Sequence, residues 1–79
     1  MEPQDTSSDE LLRRRLREAR LAAGLKQIEL AQALGEPQSF VSKYESGERR
    51  LAFLEVRTIC GVLGLRFVDF VQQLEEDLK

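Results

Sequence analysis

The sequence contains no histidine and a single cysteine, Cys60. Without histidine it lacks the side chain whose charge changes most readily near neutral pH and the commonest metal ligand. One cysteine cannot form an internal disulfide, which agrees with a reducing compartment. No glycine-rich phosphate loop is present, and Cys60 falls at a helical core position. Glu75, Glu76 and Asp77 read as a solubilising acidic end rather than a metal site. These absences argue against an enzyme and leave no cofactor, metal or small-molecule ligand to expect. There is no apolar run near the roughly 18 residues of a membrane span. The opening MEPQDTSSDE is acidic and polar, the wrong chemistry for a secretory signal, so a cytoplasmic location is expected. Strand-like alternation, internal repeats and linkers are also missing. The 79 residues allow one small domain. Such a chain buries roughly 60–65% of its unfolded surface, so its core is marginal and a dimer contact would help it.

The net charge of −2 argues at first against nucleic acid, but its distribution reverses that. Residues 1–10 carry −4 and residues 69–79 carry −3, while residues 11–68 hold eleven Lys or Arg against six Asp or Glu, giving +5. Phosphate binding depends on the local field at the contact, which is screened beyond about 10 Å at 0.1 M salt. The acidic overall balance predicts only modest nonspecific affinity.

Hydrophobic spacing predicts five helices. Residues 1–8 have nothing to bury and read as a disordered acidic tail, followed by one domain over 9–79. Ser8 or Asp9 can cap a first helix running to about Ala23, with Leu12, Leu16, Ala19 and Ala23 as its buried stripe. Gln27 to Leu34 forms a second helix with Leu30, Ala31 and Leu34 on one face, stopped by Gly35. Pro37 stands where a third helix starts. That helix, Gln38 to Ser46, buries Val41, Tyr44 and the stem of Glu45, and Gly47 closes it. A fourth runs from about Phe53 to Leu63, with Val56, Ile59, Cys60 and Leu63 inward. A fifth runs from near Phe67 to about Asp77, with Phe67, Phe70, Val71, Leu74 and Leu78 at helical spacing. The fold class is all-α.

The second and third helices, joined by a tight corner, have the organisation of a helix-turn-helix DNA reader. The outer face of the third presents Gln38, Ser39, Ser42 and Lys43. Gln38 suits bidentate contact with adenine, Lys43 suits guanine O6 or N7, and Ser39 can donate to a base edge or a phosphate. Phe40 lies between faces, where it either touches a thymine methyl or, the favoured reading, packs over the second helix. Lys26 and Gln27 flank a helix N-terminus, whose outward N–H groups attract phosphate. Ser46, Arg49 and Arg50 are placed to reach the backbone on the other side, unless Arg50 pairs with Glu48 or Glu55. Arg13, Arg14, Arg15 and Arg17 read mainly as a solvated helix face.

The stretch KQIELAQALGEPQSFVSKYESGERR resembles the helix-turn-helix of the Cro/repressor-type (XRE) family of bacterial and phage transcription regulators. The matching residues are Gln27, Leu30-Ala31, Leu34-Gly35, Gln38-Ser39, Val41-Ser42, Glu45, Gly47 and Arg49-Arg50. The likeness extends upstream to Arg20, Gly24 and Leu25, and downstream to Leu51, Glu55, Ile59, Leu63-Gly64 and Phe70, so it covers roughly residues 11 to 72. It implies a five-helix, lambda-repressor-like DNA-binding domain, an ion pair between Arg20 and Glu45, and an inward Phe70. Three positions depart from the pattern. Pro37 replaces a frequent serine cap, Ala52 replaces the Asp or Ser that caps the fourth helix, and Phe67 stands where a proline commonly opens the fifth.

The expected function is sequence-specific binding of double-stranded DNA by a homodimeric regulator, a repressor or autoregulator, on a palindromic operator. The alternative is a protein-interaction adaptor or antitoxin that uses the same fold to bind a partner protein. Phe67, Val71, Leu74 and Leu78 offer more apolar surface than a five-helix core needs, and with Arg57 at their border they form the expected dimer interface.

Overall fold

The computed structural model describes residues 6–79 and contains five helices: α1 (Thr6–Ala22), α2 (Gln27–Leu34), α3 (Gln38–Ser46), α4 (Phe53–Val62) and α5 (Phe67–Leu78). No strand occurs among the described residues, so the all-α class holds. α2 and α3 pack on each other, α1 on α3, α2 on α4, and α5 on α1 and α4.

Two expectations for α1 need correction. It begins at Thr6, so Ser8 and Asp9 lie inside its first turns rather than capping it. Residues 1–5 of the expected tail lie outside the described residues. The inward stripe also shifts. Leu11 and Leu16 are buried and Leu12 half-buried, but Ala23 is exposed and the charged Arg20 is buried in its place. Arg20 follows Leu16 by four residues and so lies on the same face. Neutralisation by Glu45, described below, lets a guanidinium occupy that position.

The corner between α2 and α3 follows from two residues. Gly35 takes the left-handed conformation (φ 71°), which costs little without a Cβ. Its N–H donates to the Gln32 carbonyl at 3.1 Å, and the Glu36 N–H donates to the Ala31 carbonyl at 2.9 Å. Two orphan carbonyls of α2 are thereby satisfied. Pro37, extended at φ −71° and ψ 157°, enters α3 at a place where no backbone donor is needed. Leu16, Leu30, Ala31, Val41, Tyr44, Ile59 and Cys60 form the dry centre, with Val56 at its edge. Cys60 is fully buried, and that burial pushes its thiol up from the ordinary value, as befits an inert core residue.

The start of α4 is better satisfied than Ala52 alone suggests. The Glu55 carboxylate reaches back to accept from the Ala52 N–H at 2.8 Å, half of a capping box. Glu29 does the same at α2, accepting from the Lys26 N–H at 2.7 Å.

Candidate nucleic-acid interface

α3 is an amphipathic helix whose buried side is Val41 and Tyr44. Its opposite side exposes Gln38, Ser39, Ser42 and Lys43 together, so the four expected base-reading residues share one solvent face. Phe40 does not belong to that face. It packs against the core, meets Tyr44 edge-to-face at 5.6 Å between centroids, and carries the Arg49 guanidinium 4.7 Å above its ring.

A polar network fixes the orientation of α3. Arg20 Nε donates to Glu45 Oε2 at 2.7 Å, and a second Arg20 nitrogen donates to Glu45 Oε1 at 3.0 Å. A third donates to the Leu25 carbonyl at 2.8 Å, beyond the end of α1. The side chains are only 7% and 4% exposed, so each charge depends on the other. The hydrogen bond to Glu45, the largest influence, holds Arg20 above its ordinary pKa against the effect of burial. Glu45 also accepts from the Gln27 carboxamide at 3.0 Å, and Gln27 in turn accepts from the Gln38 side chain at 3.4 Å. A continuous chain therefore runs from α1 through α3 and α2 to the first residue of the exposed face. The Gln27–Glu45 link was not foreseen. Its signal was the residual acceptor capacity of a buried carboxylate already paired to arginine.

The remaining candidates divide. Lys26 is exposed at the N-terminus of α2. The Ser46 hydroxyl is engaged internally: it donates to the Lys43 carbonyl at 3.1 Å and accepts from the Glu48 N–H at 3.3 Å, closing α3. Arg49, not Arg50, meets Glu55, through a bidentate pair at 3.1 and 3.0 Å. Arg50 instead lies 3.1 Å from Asp9 on α1. Both arginines expected at phosphate thus already face a carboxylate.

On α5 no residue is fully buried. Phe67, Phe70 and Leu74 are half-buried; both phenylalanines pack against the core, and Phe67 sits edge-on to Phe53 at 5.1 Å. Phe67 is therefore less available to a partner than its position in the sequence suggests. On α4 and α5 the exposed large apolar residues are Val71 and Leu78, together with three not anticipated: Phe53 (68% exposed), Leu54 (66%) and Val68 (59%). Arg57 is also exposed on α4. Phe53 and Leu54 could have been suspected as apolar residues additional to the four-residue stripe of their helix.

A helix-turn-helix family model matches residues 16–70, which spans all of the network and the exposed face of α3. An XRE-family like protein from Pseudomonas syringae pv. tomato str. DC3000 has the same fold, with a TM-score of 0.88 and 42% identity over 94% of this chain and 90% of that one. No functionally curated protein matches. Among the described residues no helix is long and apolar enough to cross a membrane. With the helix-turn-helix corner and both likenesses in agreement, the chain belongs to the XRE family of helix-turn-helix, DNA-binding transcription regulators.

Proposed function

We propose that this protein is a cytoplasmic, sequence-specific transcription regulator, a repressor or autoregulator, that binds a palindromic operator as a homodimer. The observation that carries this reading is the exposed row Gln38, Ser39, Ser42 and Lys43 on a helix whose partner and orientation are fixed by the Arg20–Glu45–Gln27–Gln38 chain. Gln38 and Lys43 are the base-reading pair, with Ser39 and Ser42 filling the contact between them. Lys26 and Gln27 take a phosphate at one end of the helix and Arg50 takes one at the other, while Arg49 contributes when its pair with Glu55 opens.

One such module reads few base pairs, so two would be expected on half-sites about 34 Å apart. The exposed apolar residues Phe53, Leu54, Val68, Val71 and Leu78, with the exposed Arg57 on the helix of the first two, are the surface proposed for that pairing. The helices from α1, which opens at Thr6, to α5 would then be one DNA-binding domain whose last helix serves dimerisation. The same patch also supports the second reading, a partner-protein adaptor or antitoxin.

Fluorescence polarisation with the DNA upstream of the protein's own gene, at two salt concentrations, tests the proposal. Sequence-dependent binding that weakens steeply with salt is the expected result. Equal affinity for operator and scrambled duplex would rule out a sequence reader and favour the adaptor.

A further inference from the structure

Behind the C-terminal end of α3 lies a groove of about 410 Å³, bounded by α1 on one side and residues 46–51 on the other. Its charged residues include Arg13 and Asp9 from α1 and Arg50 from the loop. Arg13 reads from sequence as one arginine in a solvated row. In the structure it is half-buried, and its guanidinium carbon lies 2.9 Å from where a Gly47 side-chain carbon would stand. Gly47 adopts φ +90°, so the residue that closes α3 also leaves room for this guanidinium. Among the described residues no carboxylate pairs with Arg13. Tyr44 forms part of the floor. Burial holds its phenol well above the ordinary pKa, so it adds no negative charge.

The groove is continuous with the face of α3. Ser46, on its rim, follows Ser39 and Ser42 at helical spacing. Arg13 and Arg50 line the groove together with Ser46, so a phosphate backbone running past the C-terminal end of that face would meet both guanidinium groups. Asp9 occupies this place as a carboxylate on Arg50, a competitor of the same charge sign as a phosphate.

Resting on the DNA-binding reading above, we propose that this groove is a backbone-phosphate site in which Arg13 is a further DNA-contacting residue and Asp9 holds Arg50 as an internal phosphate substitute, lowering affinity for all sequences. Arg13 and Arg50 bind one phosphate group from α1 and the loop respectively, and Asp9 gives up Arg50 as it arrives. Asp9 is thereby an affinity-setting residue that never touches a base.

The test is polarisation with a nonspecific duplex over a salt series, alongside operator and mutated operator. Arg13→Ala should weaken binding to every duplex and flatten the slope of log affinity against log salt by about 0.9, one phosphate contact. Arg13→Lys should restore the slope, and the ratio of operator to mutant affinity should not change. Asp9→Asn should tighten binding to every duplex by up to about five-fold, the worth of an exposed ion pair. That gain should vanish in the Arg50→Ala background. Melting curves establish that each variant is folded. A slope unchanged by Arg13→Ala, or an Asp9→Asn gain that persists without Arg50, overturns the proposal. Loss of operator preference in the unmodified protein, with the nonspecific slopes as expected, would sink the sequence-reader reading and leave this site standing.

Discussion

The pair α2–α3 and the helix α5 are built by opposite rules. α2 and α3 bury Leu30, Ala31, Val41 and Tyr44 completely and tie their polar ends to Arg20 through Glu45. α5 buries none of its residues completely, yet Val68, Val71 and Leu78 are 59%, 38% and 44% exposed. Its connection to α1 is finished by an ion pair between Arg15 and Asp77 near its end. One region buries most of its apolar side chains, pairs its buried charges internally and leaves a mainly polar face outward on α3. The other leaves apolar surface outward, as a surface awaiting a partner does. A small domain with a marginal core can carry both because they lie on different helices.

The largest break in this contrast should come from Arg20→Ala. Leaving Glu45, only 4% exposed, without its close ion-pair partner and the Leu25 carbonyl without its donor should cost about 3–5 kcal/mol, a large share of the stability of a domain this size. Chemical denaturation measures it directly. A paired hydrophobic replacement at positions 20 and 45 should recover part of the loss. An Arg20→Ala midpoint equal to that of the unmodified protein would show that the network does not hold α3.

On the other side of the contrast, Leu54→Asp with Val68→Asp should leave the monomer folded, because both residues are already more than half exposed, and should abolish dimerisation by placing unpaired charges in an apolar contact. Sedimentation at tens of micromolar separates the outcomes. A dimer indifferent to both charges would place the interface elsewhere, and a monomeric unmodified protein would remove it.

How legible these two regions were from sequence differs for physical reasons. Helix positions and the corner were readable because Leu30, Ala31, Val41 and Tyr44 repeat at helical spacing and Gly35 has few other uses. Arg20 as a core residue was readable only through the family likeness, since periodicity places Ala23 in its stripe and no local rule pairs residues 25 apart. The partners of Arg49 and Arg50 were not readable. Both are surface ion pairs chosen among several nearby carboxylates by loop geometry, and Glu55 and Asp9 come from different helices. For α5 the amphipathic spacing was plain, but which apolar residues face outward depends on how the helix rotates against α1 and α4. Phe67 turned inward and Val68 outward.

A finer cut separates reading from holding within α3 itself. Gln38→Ala and Lys43→Ala should each reduce the discrimination between operator and mutated operator by roughly 1–3 kcal/mol while leaving the melt nearly unchanged, because both side chains are exposed. Gln27→Ala should weaken binding to all sequences, and through its link to Gln38 it should also erode discrimination, which a pure phosphate contact would not. Competition polarisation against single-base variants distinguishes the two patterns. Operator preference preserved in both Gln38→Ala and Lys43→Ala would take the reading face away from α3.

The smallest expected effect concerns Glu55, which ties the loop after α3 to the start of α4. Its carboxyl is held below the ordinary glutamate value first by the hydrogen bond from Arg49 and next by the Ala52 N–H. A carboxyl depressed in the folded state contributes stability above its unfolded value of about 4.3, and that contribution disappears as the pH falls through the folded value. The stability difference between the unmodified protein and Glu55→Gln should therefore be present at neutral pH and shrink in that acidic window. The site is well exposed and the effect correspondingly slight, so carboxyl NMR is the better measure. In Arg49→Ala the Glu55 midpoint should rise without reaching the ordinary value, because the Ala52 N–H still favours the carboxylate. A midpoint that did not move would mean that Arg49 is already free for phosphate, and a full return to the ordinary value would mean that Glu55 does not cap α4.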